Sequence, residues 1–330
     1  MTRWTRLAPS PTGALHLGNA RTFLITWAAA RAAGWRVALR IDDLDSPRTK
    51  PGAAQQAIDD LRWLGLDWDA GPVYEQDRRA DHAAARDRLI TAGLAYPCAA
   101  TRREIEAAAS APNEGDEAAP GGGLHDLRYP GLYRPGGPTT PPAIAEDTPH
   151  GWRFRLPDAP EPVRFDDAFA GPQTINVDAT VGDFVIWTKS GLPAYQLAVV
   201  VDDAGSTALP GWPNVTDVIR GNDLLDSTGR QALLHDALGL ARPRWWHVPL
   251  VRGPDGRRLA KRHGDTRLAA LREAGVPAER VVGWLAWTCG LLDEPAPLDA
   301  AAFAERFDWR SLPPCDCTFT AADAAYLLQR

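Results

Sequence analysis

An α/β fold built on a doubly wound parallel sheet, with an α+β insertion and a C-terminal helical region, is what this sequence predicts. Three observations carry the expectation. A strand-like segment (Trp4 to Ala8), a Pro/Gly loop and an alanine-rich helical pattern (Ala20 to Ala33) run directly into an alternating strand, Trp35 to Ile41, and that order reads as a βαβ unit. The apolar run Leu197 to Val201 suits a central parallel strand buried on both faces. Between these lies a stretch, about 94 to 180, whose character differs from both sides.

The opening loop, Arg6 to Asn19, crosses Pro9 and Pro11, which give no ladder donors, and meets Gly13 and Gly18 before the helix. Strand, loop and helix start in that order aim backbone N–H groups and the positive end of a helix dipole at whatever lies in front, which suits phosphate. His16 stands just before the helix, where an imidazole can donate to a phosphate. Phe23 and Trp27 share one helix face, and Gly34 closes the helix as a C′ residue. The strand ending at Ile41 leads into Asp42, Asp43 and Asp45. Ligands in such sheets gather at the carboxyl ends of the strands, so the loop and the acidic cluster face one crevice. Three close carboxylates read either as a metal site or as the N-cap and turn residues of Asp45-Ser-Pro-Arg48.

Residues 52 to 70 continue as an amphipathic helix (Ile58, Leu61, Leu64) ending at Gly65, and a second helix, 78 to 92, carries Arg78, Arg79, Arg86 and Arg88. Ser110 to Gly123 and Pro135 to His150 are poor in apolar residues and are expected to be mobile loops. Trp152 to Leu156 and Val163 to Asp167 alternate as short strands, and Asp183 to Trp187 with Gly191 to Asp203 bring back the core sheet. Arg220, between a short apolar stretch and Gly221, is placed to pair bidentately with a carboxylate or, as the plainer alternative, with Asp223 or Asp226. Helices follow to Gly239 and over 265 to 274, 278 to 292 and 300 to 307.

Composition narrows the class. In 330 residues, 45% are hydrophobic and 24% charged, ordinary for a globular chain of about two domains. No apolar run reaches the ~18 residues that span a bilayer, and the N-terminus has no signal-peptide core. Four cysteines (Cys98, Cys289, Cys315, Cys317) are too few for a disulfide framework, so a reducing, cytoplasmic location is expected. A net charge of -6 argues against an indiscriminately basic nucleic-acid binder without excluding a local basic face. Of 36 basic residues only Lys50, Lys189 and Lys261 are lysines, so each lysine is a candidate for a specific task.

Pro9-Ser-Pro-Thr-Gly13 followed by His16-Leu-Gly-Asn19, extended by Arg6 and by Ala20-Arg21-Thr22, resembles the "HIGH" signature of class I aminoacyl-tRNA synthetases in the form of the glutamyl/glutaminyl branch. Arg40-Ile-Asp-Asp-Leu-Asp45 is similar to that branch's "RIEDxD" segment, with Asp42 one methylene shorter than the family's glutamate. Leu64 to Asp69, Pro193 to Asp203 and Thr216 to Gln231 resemble further blocks, and Arg257-Arg-Leu-Ala-Lys-Arg262 resembles the "KMSKS" loop, with Arg258, Ala260 and Arg262 departing from it and Lys261 retained. The likeness covers about residues 3 to 310 and is weak only over 104 to 150.

The resemblance implies a Rossmann-like catalytic domain: a first half (1–93), an acceptor-binding-like insertion (94–180), a second half (181–245), and a region (246–330) with the KMSKS-like loop and helices. It implies a glutamate pocket of Arg6, Leu7, Ala8, Pro9, Ser10, Asp42, Tyr195 and Arg220, with Asp42 on the amino group. His16, Gly18, Asn19 and Lys261 are implied for ATP, His16 and Lys261 being catalytic. Relatives often carry a zinc knuckle in the insertion. Here Cys98 stands with Ala100 in the second place, and Tyr129, Tyr133 and His125 make a poor ligand set, so zinc is not expected. ATP with Mg²⁺ is implied. The short chain leaves no room for anticodon-reading domains, which resembles the shortened members of the family that transfer glutamate to the queuosine base of tRNA(Asp); a monomer is expected. A truncated enzyme charging tRNA(Glu) and a non-catalytic tRNA-binding paralogue are the alternatives.

Overall fold

The computed structural model describes residues 2–44, 49–109, 127–137, 140–205, 211–257, 259 and 265–329. Asp45, Lys261 with its neighbours Ala260 and Arg262, Arg258, His125 and the Ser110 to Gly123 segment lie outside them.

Strand β1 (Trp4–Leu7) leads through the opening loop to helix α1 (Leu17–Ala32) and back to β2 (Arg36–Ile41), parallel to β1 with Arg6 opposite Ala38. Helix α1 is buried on nearly all sides, Leu17, Ala20, Leu24, Ile25 and Ala28 among the contacts. It ends in a Schellman pair: Trp35 N donates to Ala30 O at 2.8 Å and Gly34 N to Arg31 O at 3.2 Å. That turn needs a positive φ, which Gly34 supplies at 68°. Helix α2 (Ala53–Trp63) returns to β3 (Ala70–Tyr74), parallel to β2. A 3₁₀ turn over Glu75–Arg78 then opens α3 (Arg79–Thr91).

The insertion contributes β4 (Ala95–Cys98), α4 (Arg102–Ala109), β5 (Gly151–Phe154), the antiparallel hairpin β6 (Val163–Asp167) and β7 (Gly171–Ile175), and one turn, α5 (Val177–Thr180). Strand β8 (Phe184–Trp187), expected in the core sheet, instead pairs antiparallel with β5, in a β4–β5–β8 sheet. Phe154 stacks on Phe184 at 5.1 Å between ring centroids, which draws that strand into the insertion.

The second correction concerns Leu197 to Val201. The segment is not the central strand but part of a helix, α6 (Tyr195–Asp203), with every residue from Gln196 to Asp203 buried. A helix enclosed on all sides carries no polar stripe, so its sequence reads like a buried strand. The parallel partner comes later: β9 (Asp217–Gly221) lies beside β1, Thr216 N donating to Trp4 O at 2.9 Å and Arg3 pairing with Asp217. Helix α7 (Leu225–Ala237) leads to β10 (Arg244–Val248), parallel to β9. The ladders β3-β2-β1 and β9-β10 thus stand side by side, the chain's direction of travel reversing where β1 and β9 meet, and that is the crevice where open α/β sheets hold ligands.

Strand β11 (Val251–Arg252) and helices α8 (Leu268–Glu273), α9 (Ala278–Thr288) and α10 (Ala300–Arg306) match the expected C-terminal helices. Beyond them the chain adds β12 (Cys317–Thr318), parallel to β11, and α11 (Ala321–Leu328). Arg21, fully buried, donates to Thr288 Oγ1 at 3.2 Å and so ties α1 to α9. Among the described residues no helix is long and apolar enough to cross a membrane.

Candidate active site

A cleft of about 320 Å³ opens at the β1/β9 crevice. It gathers Arg6, Ala8 and Ser10 from β1 and its loop, His16, Gly18 and Asn19 from the start of α1, Asp42 from the end of β2, Tyr195 from α6 and Arg220 from β9. Two residues expected there lie elsewhere. Leu7 points into the core, fully buried. Pro9 is a backbone anchor, its carbonyl accepting from Asp42 N at 3.0 Å, and this bond sets where the acidic loop starts. A second cavity of about 720 Å³ shares Ser10, Asp42 and Tyr195 and adds Glu75, Val185 and Leu192.

At the helix-start end of the cleft His16 is the N-cap of α1. Its Nδ1 accepts from Gly18 N at 3.1 Å, while Asn19 Oδ1 accepts from His16 N at 3.1 Å. This reciprocal cap satisfies orphan donors of the first turn, and in the neutral ring it puts the proton on Nε2. A Cβ on Gly18 would meet the imidazole at 3.0 and 3.1 Å, so any larger residue would press the ring out of this position by a few tenths of an ångström. The segment that carries the KMSKS-like loop returns to the same place, Leu17 N donating to Thr266 O at 3.0 Å and Leu268 N to Leu15 O at 2.8 Å. Behind it Asp316 accepts from Leu250 N at 2.7 Å and Asn222 Nδ2 at 2.9 Å.

At the other end, Arg40, which the sequence reading left out of the site, is the hub. Fully buried, it donates Nε to Asp42 Oδ1 at 2.6 Å and Nη1 to Asp203 Oδ1 at 2.8 Å. Arg6 reaches the same Asp203 oxygen at 3.3 Å and donates to Ile219 O at 3.3 Å. Burial pushes Asp203 up, but Arg6 and Arg40 outweigh it and hold the carboxyl below its ordinary range. Asp42 ends above its ordinary range, burial outweighing Arg40. Glu75 is driven well above, by burial and then by Asp42. It faces Asp202, and Glu75 Oε1 and Asp202 Oδ2 are both buried without a donor, an arrangement that one shared proton satisfies. Arg40 and the Asp202–Asp203 pair stood inside quoted motifs; what sequence spacing could not give was that α6 brings them together.

Arg220 differs from the other two arginines. It is buried, and its hydrogen bonds go to neutral groups: Nε to His247 Nε2 at 2.9 Å, Nη2 to Thr228 Oγ1 at 2.7 Å, and the Tyr195 hydroxyl. Neither Asp223 nor Asp226 pairs with it, so the plainer sequence reading fails. A desolvated guanidinium with no carboxylate at hydrogen-bond distance, only the longer-range field of Asp203, is a ready site for an anionic ligand. Burial, and then Arg6 nearby, loosen its hold on its proton.

In the insertion Cys98 Sγ lies 3.4 Å from the Tyr129 hydroxyl, which also accepts from Tyr133 N at 2.9 Å. Ala100, Ile105 and Leu132 pack round them. Among the described residues no three metal-ligating side chains converge anywhere.

A parallel sheet whose crevice joins an anion-ready helix start to a pocket of buried arginines and carboxylates can hold a phosphate-bearing ligand beside a small charged one. The family described as tRNA synthetases class I (E and Q), catalytic domain, matches residues 3–290, and the chain belongs to it. Curated relatives include the glutamyl-Q tRNA(Asp) synthetases of Rhodopirellula baltica, 48% identical over 92% of both chains, and of Symbiobacterium thermophilum, 48% identical over 93% of both. Among solved structures, the glutamate tRNA ligase of Elizabethkingia meningosepticum, in complex with its amino acid, aligns with a TM-score of 0.77 at 25% identity, covering 99% of this chain and 69% of the other.

Proposed function

We propose that the chain activates L-glutamate with ATP, without needing tRNA, and transfers the glutamyl group to the queuosine base of tRNA(Asp). The observation that carries the amino-acid assignment is Arg220, a buried cation with only neutral partners in a pocket that also holds Arg6. Arg220 reads the side-chain carboxylate of glutamate. Asp42 and Tyr195 take the ammonium group, Arg6 and Ser10 complete the grip, and Leu7 and Pro9 support it from outside the cleft. His16, Gly18 and Asn19 receive the phosphates at the positive end of α1, and Lys261 joins them.

In the first step the α-carboxylate oxygen of glutamate bonds to the α-phosphorus as the bond to the β-bridging oxygen breaks, and pyrophosphate leaves with the electron pair. No protein nucleophile is needed; the residues position the groups and stabilise charge. Mg²⁺ would enter held by the triphosphate, as its preference for phosphate and water ligands favours, and no zinc is required. In the second step a hydroxyl of the queuosine ring attacks the carbonyl carbon, gives up its proton, and AMP leaves.

In this reading 1–93 and 181–245 are the catalytic halves, 94–180 with β8 is the acceptor-facing insertion, 246–330 carries the nucleotide loop, and the protein works as a cytoplasmic monomer. The test is transfer of labelled glutamate to tRNA(Asp) with and without queuosine. Labelling only of the queuosine-bearing tRNA is the expected result; charging of unmodified tRNA(Glu) overturns it.

A further inference from the structure

The interior face of Arg220 rests on a hydrogen-bonded chain that leaves the cleft altogether. Arg220 Nε is a donor, so His247 Nε2, 2.9 Å away, must present a lone pair. The ring proton then sits on Nδ1, 2.6 Å from Asp167 Oδ2. Asp167 is fixed in turn: its Oδ1 accepts the backbone N–H groups of His247 at 3.1 Å, Phe169 at 3.0 Å and Ala170 at 2.8 Å. The Asp167 and His247 side chains are both fully buried, so no water can substitute for a lost partner. Hydrogen bonds from His247 and Ala170 hold Asp167 ionised against its burial, and an ionised Asp167 accepts only. One tautomer of His247 follows.

Asp167 closes β6, so it comes from the hairpin of the insertion, while Arg220 and His247 belong to the parallel strands β9 and β10. We propose that Asp167 and His247 form a positioning pair that fixes the Arg220 guanidinium for the substrate's side-chain carboxylate, so that the insertion hairpin helps select the amino acid. This rests on the reading of Arg220 as the carboxylate-binding residue. The pair touches no substrate: Asp167 sets the tautomer, the tautomer sets the acceptor, and the acceptor sets the arginine.

Three variants separate this role from a merely structural one. Asp167→Asn keeps the volume but offers an amide N–H to Nδ1. The imidazole proton then moves to Nε2 and faces the Arg220 donor. His247→Gln is the larger change in shape, yet it can place a carbonyl oxygen where Nε2 stood. Glutamate-dependent ATP–pyrophosphate exchange, with melting temperatures recorded, is the assay. Expected for Asp167→Asn is a rise in glutamate KM of about tenfold, the loss of one charge-assisted hydrogen bond, with ATP KM and kcat within about twofold. Its preference for glutamate over glutamine falls in parallel, and His247→Gln retains more of both. If Asp167→Asn, folded, keeps the glutamate KM and the preference, or if His247→Gln is the worse of the two in both, the pair only holds β6 to β10 and the proposal fails. Arg220→Gln is the control: an unchanged glutamate KM there would remove the underlying reading of Arg220, which the other two variants leave untouched.

Discussion

The two ends of the cleft are built in opposite ways. At the nucleotide end the contacts are local: His16 is held by Gly18, two residues on, and Asn19, three residues on. At the amino-acid end they are remote, Arg6 meeting Asp203 across 197 residues, Arg40 meeting it across 163, and His247 meeting Asp167 across 80. The local end is a helix cap, which forms as soon as α1 does and, in the proposed function, presents backbone N–H groups to a triphosphate. The remote end exists only once the sheet, α6 and the insertion hairpin have closed on one another. Rate should therefore be sensitive at the first end, and stability and substrate affinity at the second.

The largest effect is expected from Arg40→Gln. It leaves Asp42 and Asp203 buried beside an uncharged amide, a change that typically costs about 3–5 kcal/mol. Urea unfolding should show that loss, and glutamate KM should rise in whatever protein remains folded. A variant of near wild-type midpoint would mean that the remote contacts do not hold the fold together. Next is His16→Ala, expected to lower kcat of pyrophosphate exchange by about 10²–10³-fold, the scale for removing one preorganised donor. Glutamate KM should hardly move. A KM shift as large as the kcat shift would join the two ends that the geometry separates. Smaller still is Gly18→Ala. Its methyl group would press on the imidazole, so the ring must turn, and about tenfold in kcat is expected at unchanged glutamate affinity, roughly 1.4 kcal/mol.

The same contrast explains what the sequence could disclose. The Gly34 turn and the β1–α1–β2 unit are local patterns and stand where spacing put them, although the helix begins three residues earlier than Ala20, at Leu17, with His16 as its cap. Tyr195 and Arg220 were found through motifs, but the reason that Arg220 is special, a burial among neutral partners, was not visible, because Thr228, His247 and Asp167 arrive from three separate elements. Arg40 was quoted and passed over, since an arginine on a strand gives no sign of being fully enclosed. Valines 199 to 201 suggested a strand where the chain makes a helix, and that error moved the core sheet one element too early. Cys315 and Cys317 entered the sequence reading only as part of a cysteine count, whereas Asp316 between them does the hydrogen bonding.

Away from the cleft, Asp60 offers a control on burial itself. At the amino-acid end each buried carboxylate has an arginine or shares a proton. Asp60 on α2 is as buried, yet both its oxygens lack a hydrogen-bond donor, and its cation, Arg272 on α8, stands 3.5 Å away and is partly exposed. Burial therefore pushes its pKa up to about 6. A carboxyl whose folded pKa lies above its unfolded value binds its proton more tightly in the folded state. Stability then falls as pH rises from about 4 to about 6 and levels off above. Two pKa units correspond to just under 3 kcal/mol, and relaxation around the site reduces this to about 1–2 kcal/mol. Asp60→Asn cannot ionise. It should match the wild type at about pH 4 within the small value of the Arg272 pair, show about half of the final difference at pH 5, and exceed the wild type by about 1–2 kcal/mol at pH 8, some 2–4 °C per kcal/mol in melting temperature. A difference that stays constant from pH 4 to pH 8 would show that Asp60 is ionised without penalty. Burial alone would then not be the force that the arginines of the cleft are there to answer.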